Sequence, residues 1–330
     1  MNIWFNHWFS TAYTIIELMR EGHEDAHFIC TSKNPDSILQ KVCEEFYPEP
    51  ADITDEEYIV FALDFCREHK VDVFVPRRAM AMVSKEAEKF KDLGVKLLLD
   101  TDYHIFSLLA DKAAAYKFFA EFVPEAVPVH YTAYTREEFV RAYEKITADH
   151  ARACVKFSAD EGAASFRVID NTVNSFYRTP GLKVPFDTAC DMVDALEGKR
   201  QLLVMPYLEG TEISVDCLSA APENIMIPRH KSGRTYTIEY DPVIMELAGK
   251  ILDKTGLSMP CNIQFKCHDN KPYILEINTR MSGGTGYSCA GAGVNIPSLA
   301  LDKVLGKEIH PILNFDKHRV SYIETPLILS

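Results

Sequence analysis

Short apolar stretches alternate with helical spacing over the first third of the chain. Four apolar clusters have the length of strands, at 2–5, 27–30, 71–75 and 95–99. Between them, apolar residues recur with the period of a helix, at 11–20, 55–69 and 86–93. Strands that alternate with helices in this way predict a small, doubly wound parallel sheet.

The rest of the chain has a different pattern, which predicts an α+β body. Thr135 and Glu138 have the spacing of a capping box, so a helix is expected to begin there. Helices are predicted at 111–122, 135–146, 186–196, 241–254 and 296–305. Strands are predicted at 127–131, 153–157, 165–169, 201–205, 213–219, 224–228, 262–267, 273–278 and 320–324.

The net charge of the sequence limits the kinds of molecule that the protein is expected to bind. The 330 residues include 35 Lys and Arg against 48 Asp and Glu, which gives a net charge of −13. Nucleic acids and anionic membranes require a basic surface, and no basic stripe occurs in the sequence. We therefore expect neither a nucleic acid nor a membrane as partner.

Cysteine usage and the N-terminal residues predict a cytoplasmic protein. The nine cysteines are scattered and form no CxxC pair, so they are expected to be reduced and mostly buried. The stretch 1–16 is apolar, but polar residues interrupt it and no Lys or Arg precedes it. It therefore does not resemble a signal peptide.

A polar face on two late strands is the strongest candidate for chemistry. Glu276, Asn278 and Arg280 alternate along one predicted strand and therefore point to the same side. Asn262 and Gln264 have the same alternation on the preceding strand. Oxygen ligands in such a row suit a hard divalent cation, although the polar outer face of an edge hairpin is the alternative.

Two lysines and one bend add weaker signals. Lys112 follows Asp111 at a predicted helix start, and Lys156 precedes the small-residue loop 158–164, whose backbone could approach phosphates. A solvated lysine and an ordinary loop are the alternatives. The segment 204–216 bends at a proline and a glycine, which could expose backbone groups to an adenine edge or simply join two strands.

The order of these features resembles the ATP-grasp superfamily, and within it the branch of the carbamoyl-phosphate synthase large subunit. The resemblance extends to the glycine-rich segments 282–286 and 290–297, which follow the polar strand. It implies an N-terminal, Rossmann-like pre-ATP-grasp domain at 1–103, followed by a two-lobed ATP-grasp fold. The lobe at 104–205 would carry the phosphate loop, and the lobe at 206–330 would carry the metal site.

The resemblance also implies a role for individual residues. It implies that the nucleotide is bound by Lys112, Lys156, Ser165, Met205, Tyr207, Leu208 and Glu212. The metal ligands implied are Gln264, Glu276 and Asn278, and Arg280 would steady the transferred phosphoryl group. Two departures from the family pattern affect this set, because Met205 replaces a more usual Glu and the phosphate loop has a single glycine, Gly162.

The activity that this resemblance implies is ATP-dependent ligation of a carboxylate to an amine through an acyl phosphate, with release of ADP and phosphate. The cofactors would be ATP and Mg²⁺, with Mn²⁺ as an alternative, and a homodimer is the family-level expectation. Arg229 and Lys231, in a basic cluster with His230, are expected to bind the acyl phosphate or the substrate carboxylate, unless they form a solvated turn. Arg77 and Arg78 are a second candidate anion site, whereas His7 is expected to be structural.

Three alternative activities are considered beside the ligase. A kinase or carbamoyl-phosphate-type phosphotransferase would release the phosphorylated product. A catalytically silent nucleotide-binding regulator is disfavoured by the presence of Glu276, Asn278, Arg280 and both lysines. A Rossmann dehydrogenase is disfavoured, because the turn at 5–10 lacks the GxGxxG fingerprint.

Overall fold

The computed structural model describes residues 1–160, 164–173, 182–313 and 316–329. Tertiary contacts divide the chain into two units, and each of them is built from separate segments of sequence. The first unit comprises 1–107, 213–264 and 277–330, and the second comprises 108–212 and 265–276. The three domains expected from the sequence, with boundaries after 103 and 205, stay a prediction. No helix in the described ranges combines the length and apolar character needed to cross a bilayer.

A parallel five-stranded sheet begins the first unit and confirms the doubly wound pattern. The strands follow the order β3-β2-β1-β4-β5, so the direction of winding reverses between β1 and β4. They are β1 Asn2–Asn6, β2 His27–Ser32, β3 Glu45–Pro48, β4 Val73–Val75 and β5 Lys96–Leu97. The hydrophobic pattern did not predict β3, because this edge strand is only half-buried.

Helices cover both faces of this sheet. Ile15, Ile16 and Met19 of the first helix bury one side, and a capping box between Thr54 and Glu57 begins the second. The helices are α1 Ala12–Glu21, α2 Asp55–Glu68, α3 Met80–Lys85, α4 Ala87–Asp92 and α5 Tyr103–Ala110. The helix predicted at 86–93 is confirmed as α4, whereas α3 was not predicted. The helix α5 was not predicted.

The second unit is built on a sheet of mixed direction, ordered β6-β10-β7-β8-β9. Its strands are β6 Tyr131–Ala133, β7 Ala153–Phe157, β8 Arg167–Ile169, β9 Lys183–Val184 and β10 Leu202–Pro206. Its helices are α6 Lys112–Phe119, α7 Arg136–Asp149 and α8 Phe186–Asp194. The strand predicted at 127–131 is wrong, because a short 3₁₀ turn occupies 124–126 and pairing begins only at Tyr131.

The register of β7 against β10 shows which side chains lie on each face of this sheet. Phe157 lies opposite Leu202, and these side chains belong to the core that α7 and α8 cover. Lys156 lies opposite Leu203 and so points to the other face. One face is therefore a hydrophobic core, while the other carries a lysine. The predicted capping box of α7 is confirmed by mutual hydrogen bonds of Thr135 and Glu138.

The third sheet has six strands in the order β15-β14-β11-β12-β13-β16. These strands are β11 Glu212–Leu218, β12 Ile225–Ser232, β13 Thr235–Ile238, β14 Cys261–His268, β15 Lys271–Asn278 and β16 His318–Val320. The associated helices are α9 Pro242–Thr255, α10 Thr285–Ala292 and α11 Ile296–Val304. The predicted hairpin of β14 and β15 is confirmed, and its turn residues Asp269 and Asn270 adopt φ of 48° and 61°.

Two sequence predictions in this region are wrong in position. The strand expected at 320–324 ends at Val320, because Val320 pairs with Tyr236 near the start of the short strand β13. Beyond Val320, only Thr235 remains on β13 for the following residues to pair with. The strand expected to end at Pro228 continues to Ser232, because β13 pairs with Arg229–Ser232 and extends it.

Candidate active site

Lys112 lies beside a carboxylate in the second unit. Asp111 caps α6 by accepting hydrogen bonds from the backbone N–H groups of Ala113 (2.9 Å) and Ala114 (3.1 Å). This cap orients the first helical residue, so that the Lys112 ammonium lies 3.2 Å from Glu276 Oε2. The same ammonium donates to the carbonyl oxygen of Asp160 at 2.6 Å. The first turn of α6 thus joins β15 to the beginning of the predicted phosphate loop.

Lys156 is a second cation on the same unit. It projects from β7, and its ammonium lies 6.0 Å from the centre of the Tyr116 ring. Burial, and next the positive charge of Lys112, lower the pKa of Lys156 to about 8, while Glu276 acts in the opposite direction. Two positive charges therefore lie near the single negative charge of Glu276. The excess positive charge favours the binding of an anionic ligand.

Tyr116 completes this cluster and was missed from the sequence. It follows Lys112 by four residues on α6, so both side chains lie on one face of the helix. Its hydroxyl donates to the carbonyl oxygen of Leu275 at 2.9 Å. Burial and the charge of Glu276 raise the pKa of Tyr116 well above its usual value, so the phenol stays protonated. The spacing of four from Lys112 was the only signal that could have found it.

The base of the predicted phosphate loop is held by hydrogen bonds. The Ser165 hydroxyl accepts from the Phe157 backbone N–H at 2.9 Å, and the Ser165 backbone N–H donates to Asp160 Oδ2 at 2.8 Å. Ser158 donates through its hydroxyl to Asp111, which ties the loop to the cap of α6. Gly162 and its neighbours at 161 and 163 lie outside the described residues. Ser165 is thus placed at the end of the loop, and its role in nucleotide binding stays a prediction.

The bend after β10 contains the predicted adenine-binding residues. Met205 lies opposite Cys154 in the β7–β10 register and therefore on the same face as Lys156. Met205 and Leu208 are buried. Tyr207 packs under the Arg152 guanidinium, 4.8 Å from the ring centre. Glycine is required at 210, because a Cβ there would lie 1.7 Å from the carbonyl oxygen of Cys267. Glu212 opens β11 just beyond this bend and is half-buried.

The predicted metal ligands are divided between the two units. Glu276 belongs to the second unit with Lys112, whereas Gln264 and Asn278 belong to the first. Arg280, which is predicted to steady the phosphoryl group, also belongs to the first unit. The Gln264 amide donates to Asn262 Oδ1 at 3.2 Å, and Arg280 donates to the carbonyl oxygen of Met281 at 3.3 Å. The assignment of Gln264, Glu276 and Asn278 to one metal site stays a prediction.

The donor chemistry of this set fits a hard cation in part. In the described ranges, no group of three or more His, Cys, Asp or Glu residues could hold a metal ion. Among the predicted ligands only Glu276 is a carboxylate, and the other two donors are amide oxygens. Mg²⁺ characteristically takes one or two carboxylates and completes its shell with phosphate oxygens and water. The residues are therefore suited to magnesium that arrives with a nucleotide, rather than to a resident metal.

Arg229 lies in a buried network of the first unit. Its guanidinium contacts Asp216 Oδ2 at 3.4 Å and donates to the hydroxyls of Ser288 (3.2 Å) and Ser282 (3.3 Å). Asp216 also accepts from Asn262 at 2.8 Å. A Cβ at Gly284 would lie 2.2 Å from the Arg229 guanidinium carbon, so the glycine-rich segment can approach only without a side chain. Arg229 therefore holds the start of α10 against the sheet.

The basic cluster 229–231 differs from its expected form. It was expected after the end of a strand, but all three residues belong to β12. Alternation along the strand sends Arg229 and Lys231 to one face and His230 to the other. Arg229 is buried, whereas Lys231 is exposed. The three residues are therefore not one cluster, and a solvated turn is excluded for Arg229 as well.

A second group of cations lies at the carboxyl ends of β1 and β4. Arg78 forms an ion pair with Glu49 at 2.9 Å, and its guanidinium stacks over the Tyr58 ring at 4.4 Å. The Arg77 guanidinium lies 5.1 Å from the Phe9 ring centre. His7 adopts φ of 45°, and burial lowers its pKa. This is the point of the sheet where the winding reverses, which is where open α/β sheets bind ligands.

Comparisons with known proteins agree with this architecture. Residues 198–326 match the family described as ATP-grasp in the biosynthetic pathway with Ter operon. The chain is 22% identical over 330 residues to the arginine-specific carbamoyl phosphate synthase large chain of Geobacillus stearothermophilus. That alignment covers 93% of this chain and 28% of the relative.

Residues 198–326 thus resemble an ATP-grasp family, and the mixed α/β fold agrees with a two-lobed ATP-grasp architecture. The fold is similar to that of N5-carboxyaminoimidazole synthetase from Staphylococcus aureus in complex with ADP, with a TM-score of 0.69 and 13% identity over 95% of this chain and 79% of that one. It is also similar to an L-amino acid ligase from Bacillus licheniformis, with a TM-score of 0.66 and 12% identity over 92% and 74% of the two chains. The chain spans little more than a quarter of the carbamoyl phosphate synthase that it matches.

Proposed function

We propose that the chain is an ATP-dependent ligase that activates a carboxylate as an acyl phosphate and joins it to an amine. The observation that carries this proposal is the cluster of Lys112, Lys156 and Glu276, in which the buried ammonium of Lys112 and the half-buried Lys156 both act on one carboxylate. Such an excess of positive charge stabilises the polyphosphate and the charge that develops on the transferred group. The similarity of residues 198–326 to an ATP-grasp family, and of the fold to an ADP-bound synthetase, supports a nucleotide as the anion.

The proposed reaction has two steps. A carboxylate oxygen of the substrate attacks the γ-phosphorus of ATP, the bond to the bridging oxygen breaks, and ADP leaves. An amine nitrogen then attacks the acyl carbon, the C–N bond forms, phosphate leaves and the nitrogen loses a proton. Lys112 and Lys156 would hold phosphate oxygens in this sequence, and Arg280 would steady the transferred group. Magnesium, when bound by Glu276 with Asn278 and Gln264, would neutralise charge on the phosphates.

Met205, Tyr207 and Leu208 are proposed to contact the adenine, and Glu212 the ribose hydroxyls. Met205 supports this assignment, because it lies on the Lys156 face of the β7–β10 sheet and is buried. The bend at 206–210 begins with Pro206, and the Tyr207 backbone N–H still donates to the Arg152 carbonyl oxygen at 2.9 Å. Lys231 is proposed to contact the substrate carboxylate. Arg229 and Lys231 share one face of β12, and of these two residues only Lys231 is exposed.

Arg77 is proposed to bind an acidic group of a substrate. The carboxyl ends of β1 and β4 are the ligand-binding edge of a doubly wound sheet. Arg77 follows β4 at this edge, is buried, and lies over the exposed ring of Phe9. The neighbouring Arg78 pairs with Glu49 and with the backbone of Ala51.

Trapping of the acyl phosphate with hydroxylamine tests the proposed class of reaction. The protein is incubated with Mg-ATP, pools of carboxylates and hydroxylamine, and both hydroxamate and ADP are measured. Equal amounts of the two products are expected from at least one carboxylate pool. ADP with a phosphorylated product but no hydroxamate would instead establish a phosphotransferase. The absence of carboxylate-dependent ADP formation in every pool would contradict both enzyme hypotheses.

Glu276→Gln is the matching site variant. It keeps the size of the side chain and removes the charge that faces Lys112, so turnover should fall on the order of 10²–10³-fold. Glu121→Gln is the control, since Glu121 is exposed and belongs to the same unit. Equal turnover in the two variants would contradict the role of Glu276.

A further inference from the structure

A cavity of about 340 Å³ lies inside the second unit, on the sheet face opposite Lys156. Its apolar walls come from Val155, Phe157 and Leu202 on the strands and from Met192 and Leu196 on the side of α8. Alternation along β7 sends Val155 and Phe157 away from Lys156. The apolar walls therefore face away from Lys156, while Asp160 and Ser165 of the predicted phosphate loop also line the cavity.

The rim of the cavity is cationic. Arg167 donates through Nη1 to the carbonyl oxygens of Ala164 (3.0 Å) and Phe166 (2.8 Å), while its Nε is buried without a hydrogen-bond partner. Arg200 donates to the carbonyl oxygen of Ala159 at 3.0 Å and stacks over the Phe157 ring at 4.3 Å. Among the described residues, Asp160 is the one acidic group that lines the cavity, and its Oδ2 accepts from the Ser165 backbone. Within the described lining, two guanidinium groups therefore accompany one carboxylate.

We propose that this cavity binds a small amphipathic carboxylate. A hydrocarbon body would fill the space beside Met192 and Leu196, and a carboxylate oxygen would accept the hydrogen bond that the buried Nε of Arg167 leaves unmade. A buried donor without a partner costs free energy, and a charged acceptor recovers it most effectively. A nucleotide is disfavoured, because most of the wall is apolar and only the rim carries groups that could pair with phosphates.

Occupancy of the cavity should affect the phosphate loop. Arg167 and Arg200 hold backbone carbonyls at both ends of that loop, at 164 and 159. A carboxylate that engages these guanidinium groups would redistribute their hydrogen bonds and so change the affinity for ATP. Coupling between two ligands is reciprocal, so ATP should change the affinity for the carboxylate by the same factor. Only this coupling rests on the proposed function.

Calorimetric titration of the intact protein with hexanoate and with hexan-1-ol tests the site. Hexanoate should bind at least about tenfold more tightly, because only the carboxylate can pair with Arg167. Arg167→Gln should remove this preference and leave weak binding of the alcohol, whereas Arg141→Gln, at an exposed arginine of the same unit, should keep it. Equal affinities of hexanoate and hexan-1-ol for the unmodified protein would overturn the proposal.

A variant that fills the cavity provides a second and independent test. Val193→Phe should abolish the binding of both probes, and Met192→Trp, at a less buried position, takes its place if the first variant does not fold. Hexanoate binding that survives in a folded cavity-filled variant would overturn the proposal. Repeating the hexanoate titration with saturating ATP tests the coupling, and an unchanged dissociation constant would contradict it. Hexanoate binding in a protein that does not bind ATP would leave the cavity assignment intact and refute the proposed function.

Discussion

Two charged clusters of this chain differ in how completely their charges are paired. In the first unit, one aspartate faces one arginine, and serine and asparagine side chains donate to the remaining carboxylate positions. In the second unit, Lys112 and Lys156 share the single charge of Glu276. In the first cluster, called here the closed cluster, every charge has a countercharge, and the cluster stabilises the fold. The second, called the open cluster, keeps an excess of positive charge and is therefore suited to an anionic ligand.

The largest expected effect comes from opening the closed cluster. Asp216→Asn keeps the shape of the side chain but leaves Arg229 buried without a countercharge. The free energy of unfolding should fall by about 3–5 kcal/mol. Denaturant unfolding measures this loss, with Asp253→Asn as the control at an exposed aspartate of the same unit. A loss no larger than that of the control would show that the Asp216 network does not stabilise the fold.

A smaller effect is expected where the glycine-rich segment meets Arg229. Gly284→Ala places a methyl group against the guanidinium, which must move away from Asp216 and Ser288. The cost should be about 1–3 kcal/mol of unfolding free energy. Adding Arg229→Met should relieve much of that cost, because the flexible thioether can yield. A double variant in which the two losses simply add would contradict a direct contact.

The smallest effect concerns pH and the open cluster. Lys156 has a pKa lowered to about 8, so the ammonium form that attracts phosphate is lost as pH rises through this value. ATP affinity should fall about tenfold between pH 7 and pH 9. Lys156→Arg should flatten this dependence, because a guanidinium stays protonated over the whole range. A profile that is identical in the two proteins would rule out Lys156 as the titrating group.

Local patterns predicted much of the fold and part of the site. The spacing of apolar residues indicated the parallel sheet, and the sequence around Thr135 indicated a capping box that the structure confirms. Asp111 and Lys112 were expected at the start of a helix, and α6 does begin there. These features depend on neighbouring residues, which a sequence displays directly.

Features that depend on distant residues were missed or misplaced. Arg229 is buried because Asp216 lies on the facing strand and Ser288 on α10, and no pattern near position 229 reveals either partner. The helix α10 was not predicted, since its buried positions are small residues such as Ser288 and Ala292 rather than large apolar ones. The edge strand β3 has no apolar alternation, because only one side of it has a neighbouring strand.

The most direct test of the central claim is the affinity for ATP of three proteins, measured by calorimetry in the presence of magnesium. The unmodified protein and Lys117→Met, which removes an exposed lysine of α6, should bind ATP equally. Lys156→Met should bind at least about 100-fold more weakly, because it removes a half-buried cation that is proposed to contact the phosphates. ATP binding that is unchanged in Lys156→Met would contradict the assignment of the open cluster to the nucleotide.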